Sequence, residues 1–478
     1  MTQPLWTCDD VLVATGGKAH GAGWTASGVS IDSRTLEPGD LFVAIVGENS
    51  DGHAYVANAL EKGAAAAIVS RVDDLMLSAG PLVEVDDTLE ALNALGRAAR
   101  ARTNAKVIAV TGSVGKTGTK EGLRMIFSEQ GATHASAASY NNLWGVPLSL
   151  ARMPKETEFG VFEIGMNHPG EITPLSKMVE PLVGIVTTVE AVHIEYFDSV
   201  EQIADAKGEL FDGLQPGGIA ILNRDNPHFE RLRAKAEASG AGRIIGFGEH
   251  EEADARLDKV ALREDGSSVA ATICGQKVAY KVGVPGRHIV MNSLAMLACV
   301  QAVGADLALA AMALGRLQAP KGRGERHLVS AAGRNFVVID ESYNANPASM
   351  RASIEALGQA NPQGRGRRIA VLGDMLELGE DSDAMHRDLA PVLRHAHVDL
   401  LFASGPHMRE LFRAVPAAHQ GRYAPSAAEL VEPLLEEIRN GDVLMVKGSF
   451  GSKMGPVVEA LVALGEEDDS ESIRRNRG

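Results

Sequence analysis

Seven consecutive residues, Thr111-Gly112-Ser113-Val114-Gly115-Lys116-Thr117, are of the types that hold a polyphosphate. Glycines let a loop close tightly around an anion, with backbone N–H groups pointing at it. The lysine neutralises charge, and the threonine hydroxyl can hold Mg²⁺. The full pattern G-x-x-x-x-G-K-[ST] needs a glycine at position 110, where the chain has Val110, so the run is a shortened TGxxGKT form. An ordinary glycine turn shows the same letters, and context separates the two. The apolar run Val107 to Val110 reads as a buried strand. Leu123, Ile126 and Phe127, at helical spacing, read as the core face of a helix reaching about Gln130. Strand, loop and helix N-terminus together aim backbone dipoles at one anion.

Other residues gain meaning from their surroundings. Glu163 lies within the apolar run Val161 to Met166. A carboxylate in a buried strand is costly unless it is paired or bound to a cation, so a functional role is expected. The next strand, Val183 to Val189, ends in a loop with His193 and Glu195. Open parallel sheets place ligands at the carboxyl ends of strands, where Glu163 and His193 both fall, although a loop histidine alone is equally a surface residue. The polar stretch Ser139 to Pro147, with Asn141 and Asn142, can line a ligand site. Ser33 and Arg34 precede a strand, where an arginine can grip a diphosphate or merely complete a solvated turn. Lys207 sits on an amphipathic helix, Ser199 to Leu214, and spacing does not set it apart from a solvated lysine.

The elements that position these residues fall into three regions. A chain of 478 residues suggests about three domains. Region 1–103 alternates strand-like and helix-like segments: a strand Leu41 to Val46, a helix Ala54 to Ala67, a strand Ala67 to Ser70 and a helix Leu89 to Arg102. Region 104–314 carries the phosphate loop, a strand Ile219 to Leu222 and antiparallel-looking strands from Val260 to Val284 with a turn at Asp265-Gly266. Gly286-Arg287-His288 then opens a helix containing Asn292. Region 315–478 repeats strand and helix, with strands Phe336 to Ile339, Ile369 to Leu372, Leu400 to Ala403 and Val443 to Val446. That rhythm predicts a parallel, Rossmann-like sheet. Its strands end in Asp340-Glu341-Ser342-Tyr343-Asn344, Gly373-Asp374-Met375 and Lys447-Gly448-Ser449, which suggests a second half of a site. The charged stretch from about residue 466 reads as a disordered tail. The fold class expected is α/β, with a central ATPase-type parallel sheet between a small N-terminal α/β domain and a C-terminal Rossmann-like domain.

Composition excludes several classes. Hydrophobic content of 45% and charged content of 23% are ordinary for a soluble globular protein. A net charge of −16 and 4% aromatic residues argue against a nucleic-acid partner. No apolar run reaches membrane-spanning length, and the N-terminus lacks signal-peptide character. Three dispersed cysteines, Cys8, Cys274 and Cys299, fit a reducing cytoplasm. A monomer is expected.

On the residues alone, a kinase, an ATP-dependent ligase and a nucleotide-binding switch all remain open. The ordered set VTGSVGKT, SYNNLWGVPLSL, FEIGMNHPGEI, HIEYF, AKGELF, GRHIVMNSLA, DESYNANPASM, GDMLELG and KGSFGSKM resembles the Mur ligases, from Ser30 to about Met454. The resemblance implies an ATP-dependent, ADP-forming amide ligase of peptidoglycan precursor synthesis, working through an acyl phosphate. The substrates implied are UDP-N-acetylmuramoyl-tripeptide and D-alanyl-D-alanine. The run Tyr343 to Pro347, and the absence of a DNPR motif, favour the dipeptide over the single diamino acid that a neighbouring member adds. Folylpolyglutamate synthase is a remoter relative. By resemblance, residues 111–117 hold ATP, and Asn292, Arg326, Asp340, Tyr343 and Asn344 contact it. Thr117, Glu163, His193 and Lys207, the last carbamylated, would serve the Mg²⁺ ions, with Lys116, His193 and Lys207 as the catalytic set. Ser33, Arg34, Asn141 and Asn142 would contact the UDP-sugar peptide. The chain departs from the pattern at Phe450, where many relatives carry an arginine.

Overall fold

The computed structural model describes residues 4–47, 50–137, 140–192, 194–263, 265–331 and 333–475, with side chains described through residue 465. His193 therefore lies outside the described residues.

Three main sheets follow one another along the chain. The first has five strands, Lys18–His20, Leu82–Glu84, Ala66–Val69, Asp40–Val43 and Gly28–Ser30 in spatial order, all parallel except the first pair. Its helix is shorter than the alanine-rich sequence suggests, Val56–Glu61, because Gly63 turns the chain back toward strand Ala66–Val69. This domain does not finish its own core. Leu92, Leu95 and Ala99 of helix Thr88–Ala101 pack with Leu148 and Ala151 of the central domain. Polar bonds reinforce the seam: the Trp6 indole donates to the Ala151 carbonyl at 2.8 Å, and Arg102 donates to the Leu5 and Met153 carbonyls.

The central sheet has nine strands. Its parallel middle places Phe159–Glu163, Lys106–Thr111 and Val183–Val186 side by side, and its far edge is the antiparallel set Ala255–Arg263, Gly266–Ile273 and Gln276–Val282. Gly266, expected as the second residue of the turn, instead begins a strand and pairs with Arg263. Strand Arg243–Gly248, with its two glycines and an arginine, gave no clear pattern in the sequence, yet it pairs in parallel with Ile219–Asn223. Strand Phe159–Glu163 ends three residues earlier than its apolar run, because Gly165 leaves the sheet to bond the Asn141 carbonyl. Glu163 is thereby the last residue of the strand, opposite Val110.

The third sheet has six strands. Four match the expected parallel set, but Glu325–Ala331 pairs antiparallel with Arg334–Glu341 as an edge strand, which corrects the all-parallel expectation. A Gly333 at positive φ, in a short turn, makes that hairpin. Gln420–Ala424 covers the other edge. The last helix, Gly455–Arg475, runs through the stretch expected to be disordered; its glutamates and arginines are good helix formers despite lacking an apolar face. Among the described residues, the two cores of this domain contain none from the central domain.

Candidate active site

Register brings the phosphate loop and the buried carboxylate to one sheet edge. Strand Lys106–Thr111 ends where helix Lys116–Ser128 begins, and Glu163 ends the adjacent strand. Between them Gly112 and Gly115 adopt φ of +146° and +86°. A Cβ on Gly115 would lie 2.5 Å from the Asn292 amide nitrogen, and one on Gly112 would collide with the Thr187 hydroxyl. Only glycine fits at either point. The loop is pinned from the neighbouring strand end: Ser113 N–H donates to the Thr188 carbonyl at 2.9 Å, the Ser113 hydroxyl to the Glu190 carbonyl at 3.0 Å, and the Thr187 hydroxyl to the Val114 carbonyl at 2.6 Å. Thr111 carries a buried hydroxyl with no partner among the described residues.

Lys116 donates to the Gly112 carbonyl at 2.7 Å. Burial pulls its pKa below the usual lysine value, the Glu163 carboxylate opposes that shift, and the Arg323 guanidinium adds to it. Glu163 is 1% exposed, and its two oxygens are both used. One accepts from the Thr117 hydroxyl at 2.8 Å, the other from the Asn141 amide at 2.7 Å. The strand expectation for Glu163 thus resolves into a paired carboxylate beside the phosphate loop. Ser136, which sequence reasoning missed, accepts from the Glu163 N–H at 3.3 Å.

Lys207 is 3% exposed, on helix Val200–Gly208. It has no acceptor or carboxylate paired with it among the described residues. Burial, and then the charge of Lys116, push its pKa well below the lysine value. The bland reading of Lys207 as a solvated helix residue is overturned. The helix is shorter than expected, since Glu209 turns aside and accepts the N–H groups of Gly170, Ile172 and Thr173 at the start of the earlier helix Ile172–Val179.

The C-terminal sheet presents its edge to the loop. Asp340 is buried and accepts from the Ser342 N–H and hydroxyl at 3.0 and 2.6 Å. Asn344 accepts from the Ala345 N–H through its side chain, and from Lys447 through its carbonyl. Burial lowers the pKa of Lys447, against the pull of Glu341. Arg326 sits on the edge strand opposite Ile339. Lys447, at one of the polar strand ends already read as a second half of a site, belongs here, and so does Arg323, which sequence reasoning missed in the turn before strand Glu325–Ala331. Desolvation lowers the pKa of His288 in the central domain, with the Glu341 carboxylate of the C-terminal domain opposing that shift and Lys447 adding to it. A cavity of about 1180 Å³ separates them, with Thr117 on one side and Asp340, Tyr343, Phe450 and Lys453 on the other.

The remaining expectations fall elsewhere. Arg34 is 86% exposed and forms a two-pronged pair with Asp32, at 2.9 and 2.7 Å. Ser33 accepts from Lys62 through its carbonyl at 2.8 Å. The Asn142 side chain accepts from the Trp144 and Gly145 N–H groups, at 3.2 and 2.9 Å, just before the helix Gly145–Ala151.

A phosphate cradle on one domain, faced across a cavity by the charged sheet edge of another, defines a nucleotide-dependent transfer enzyme that works between domains. The Mur ligase middle domain matches residues 110–300, the Mur ligase family catalytic domain residues 25–103, and the Mur ligase glutamate ligase domain residues 322–450. UDP-N-acetylmuramoyl-tripeptide–D-alanyl-D-alanine ligase of Escherichia coli (strain K12) is 34% identical over 93% of this chain and 96% of its own. A crystal structure of MurF from Acinetobacter baumannii superposes with a TM-score of 0.83 at 30% identity, covering 96% of this chain and 99% of that one. MurF ligase from Thermotoga maritima, in complex with ADP, superposes with a TM-score of 0.75 at 26% identity, covering 92% and 98%. The chain belongs to the Mur ligase family.

Proposed function

We propose that this Mur ligase joins D-alanyl-D-alanine to UDP-N-acetylmuramoyl-tripeptide, with ATP converted to ADP and phosphate. The observation that carries the reading is the Lys116–Thr117–Glu163 cluster at the sheet edge, in a chain alike over nearly its whole length to ligases of that name. ATP lies with its phosphates on the loop of residues 111–117, Asn292 against Gly115, and Arg326, Asp340, Tyr343 and Asn344 toward the nucleoside. The first domain, residues 1–103, takes the UDP-sugar, with Ser33 and Arg34 on that side and Asn141 and Asn142 toward the peptide. Residues 104–314 bind ATP, and residues 315–478 close over the dipeptide. No helix of the described residues is long and apolar enough to cross a membrane.

The donor set fits Mg²⁺. Thr117 and Glu163 offer hard oxygens, and a carbamate on Lys207 would add another, with His193 as a further ligand. Bound there, Mg²⁺ would neutralise charge on the transferred phosphoryl group. The chain's own groups do the rest. Lys116 places a desolvated cation at the phosphates, where it acts in a low-dielectric setting. The substrate carboxylate attacks the terminal phosphorus of ATP, ADP leaves, and the acyl phosphate carries a carbonyl open to attack. The neutral amine of the dipeptide attacks that carbonyl, loses a proton, and phosphate departs. An α-amino group of pKa about 8 gives up its proton readily near neutrality. Closure of the loop-tethered C-terminal domain keeps water from the acyl phosphate.

The test is phosphate release from ATP with UDP-N-acetylmuramoyl-tripeptide, with and without D-alanyl-D-alanine. Release that requires both, with a UDP-pentapeptide product by mass, supports the reading. Release with a single diamino acid and the UDP-dipeptide instead would reassign the chain within its family. Glu163→Gln keeps the shape of the side chain but removes its charge and one of its two acceptor oxygens. It is expected to raise the Mg²⁺ concentration for half-maximal activity about tenfold or more, read from a magnesium titration at fixed ATP.

A further inference from the structure

The hairpin of strands Glu325–Ala331 and Arg334–Glu341 has an inward face that is apolar for most of its length. Val329, Ala331, Phe336 and Val338 are buried there, in a core that Val457, Val458 and Leu461 of the last helix complete. Toward the cavity the same face changes character. Alternation along a strand puts Glu325 and His327 on the side of Val329, and Asp340 on the side of Val338. Glu325 stands opposite Asp340 in the antiparallel register, and His327 opposite Val338. One ligand atom from each of the three, an imidazole nitrogen and two carboxylate oxygens, lies within 4.8 Å of the others. His327 and Asp340 line the cavity.

Two carboxylates on facing strands repel unless a cation stands between them. Neither Glu325 nor Asp340 forms an ion pair with a lysine or arginine among the described residues. Lys447 feels the charge of Asp340 but bonds to Glu341 and the Asn344 carbonyl. The His327 Nε2 is 3.8 Å from a Glu325 oxygen, too far for a hydrogen bond. Asp340 gives one oxygen to the N–H and hydroxyl of Ser342; its other oxygen accepts no hydrogen bond among the described residues, although the residue is 3% exposed. Ligands of one tetrahedral Zn²⁺, each about 2.1 Å from it, stand about 3.4 Å apart. The His327–Glu325 pair is close to that spacing already, and rotation of the half-buried Glu325 side chain brings it toward Asp340. An imidazole in the set selects Zn²⁺ or a similar transition metal over Mg²⁺, which takes oxygens and keeps its waters. That chemistry separates this cluster from the oxygen donors Thr117 and Glu163.

We propose that Glu325, His327 and Asp340 form a site for a divalent transition metal of the Zn²⁺ type, with water completing its shell, and that this metal and ATP exclude each other because both use the free oxygen of Asp340. The exclusion rests on the reading that turns Asp340 toward the nucleoside. The metal site rests on the geometry of the hairpin.

The test begins with calorimetric titration of Zn²⁺ into the nucleotide-free, chelator-stripped full chain, in excess Mg²⁺ to fill the oxygen-rich set. Wild type is expected to bind one Zn²⁺. His327→Ala should bind it about a hundredfold more weakly and Glu325→Gln about tenfold, with melting curves unchanged in the absence of metal. Co²⁺ in place of Zn²⁺ should give wild type a visible absorption that His327→Ala lacks. In turnover assays, free Zn²⁺ should raise the wild-type KM for ATP and leave kcat unmoved. His327→Ala, with the basal turnover of wild type, should need about a hundredfold more Zn²⁺ for the same rise. Equal Zn²⁺ affinity in wild type and both variants would overturn the site, as would binding lost in Cys274→Ser, which removes a half-buried thiol. A fall in kcat that His327→Ala does not relieve would place the ion at Thr117 and Glu163 and overturn it too. Zn²⁺ held equally well at saturating ATP would remove the exclusion, and with it the nucleoside contact of Asp340. The binding arm needs no activity, so a chain without ATP turnover that still binds Zn²⁺ through His327 would remove the ligase reading and support the metal site.

Discussion

Lys116→Met should abolish most turnover and leave the protein no less stable. The two effects have one cause. Lys116 is half-buried, and desolvation pulls its pKa down in spite of its bond to the Gly112 carbonyl and the nearby Glu163 carboxylate. The folded environment therefore disfavours the charged side chain when no phosphate is bound. The sign follows from linkage. Over the interval between the lowered folded pKa and 10.5, the unfolded chain binds a proton that the folded chain releases, so stability rises with pH there. Methionine keeps the length, removes the charge, and with it that dependence. Thermal melting should show an equal or higher midpoint and a flatter pH profile between neutral and alkaline pH. Activity should fall about a hundredfold to a thousandfold, because the charge matters most when negative charge is moving between phosphate oxygens. A large loss of melting temperature would show that Lys116 holds the loop together rather than serving the nucleotide.

The same contrast explains what could be read in the sequence. The phosphate loop was legible because three signals agree in one short stretch: a buried strand, glycines that need positive φ, and a helix with a clear apolar face. Glu163 was legible as a charge out of place in an apolar strand. Lys207 was not, because burial of one helix face depends on what packs against it, and that comes from residues far away in the chain. The resemblance suggests a role for it, and the structure shows its buried environment. At Arg34 the letters left a diphosphate grip and a solvated turn open, and the structure shows the exposed side chain paired with Asp32. The edge strand Glu325–Ala331 was missed for a related reason. An edge strand alternates polar and apolar residues, and here arginine, glutamate and histidine blur the period before Val329 and Ala331 turn inward.

Lys207 carries the second large prediction. Burial, and then the charge of Lys116, lower the pKa of Lys207 well below the lysine value, which favours the neutral amine, the form that attacks carbon dioxide. The reaction makes a nitrogen–carbon bond and releases one proton, and it turns a base next to Lys116 into an anion. That anion would relieve the repulsion that Lys116 now imposes on the Lys207 site and would offer oxygen to Mg²⁺. Lys207→Ala should therefore lose about a hundredfold or more in turnover at saturating ATP. Depleting carbon dioxide and bicarbonate from the buffer should lower wild-type activity and leave the residual activity of Lys207→Ala unchanged. Isotopically labelled bicarbonate should give a carbamate carbon resonance in wild type that is absent from the variant. The pH dependence has a definite sign: below the lowered pKa the amine protonates and cannot hold carbon dioxide, so the carbamate and the activity are both lost as pH falls. Wild-type activity that ignores bicarbonate and shows no carbamate signal would sink this role. Lys207 would then act as a neutral buried amine beside the phosphates, and Thr117 and Glu163 would have to supply the metal-binding oxygens without it.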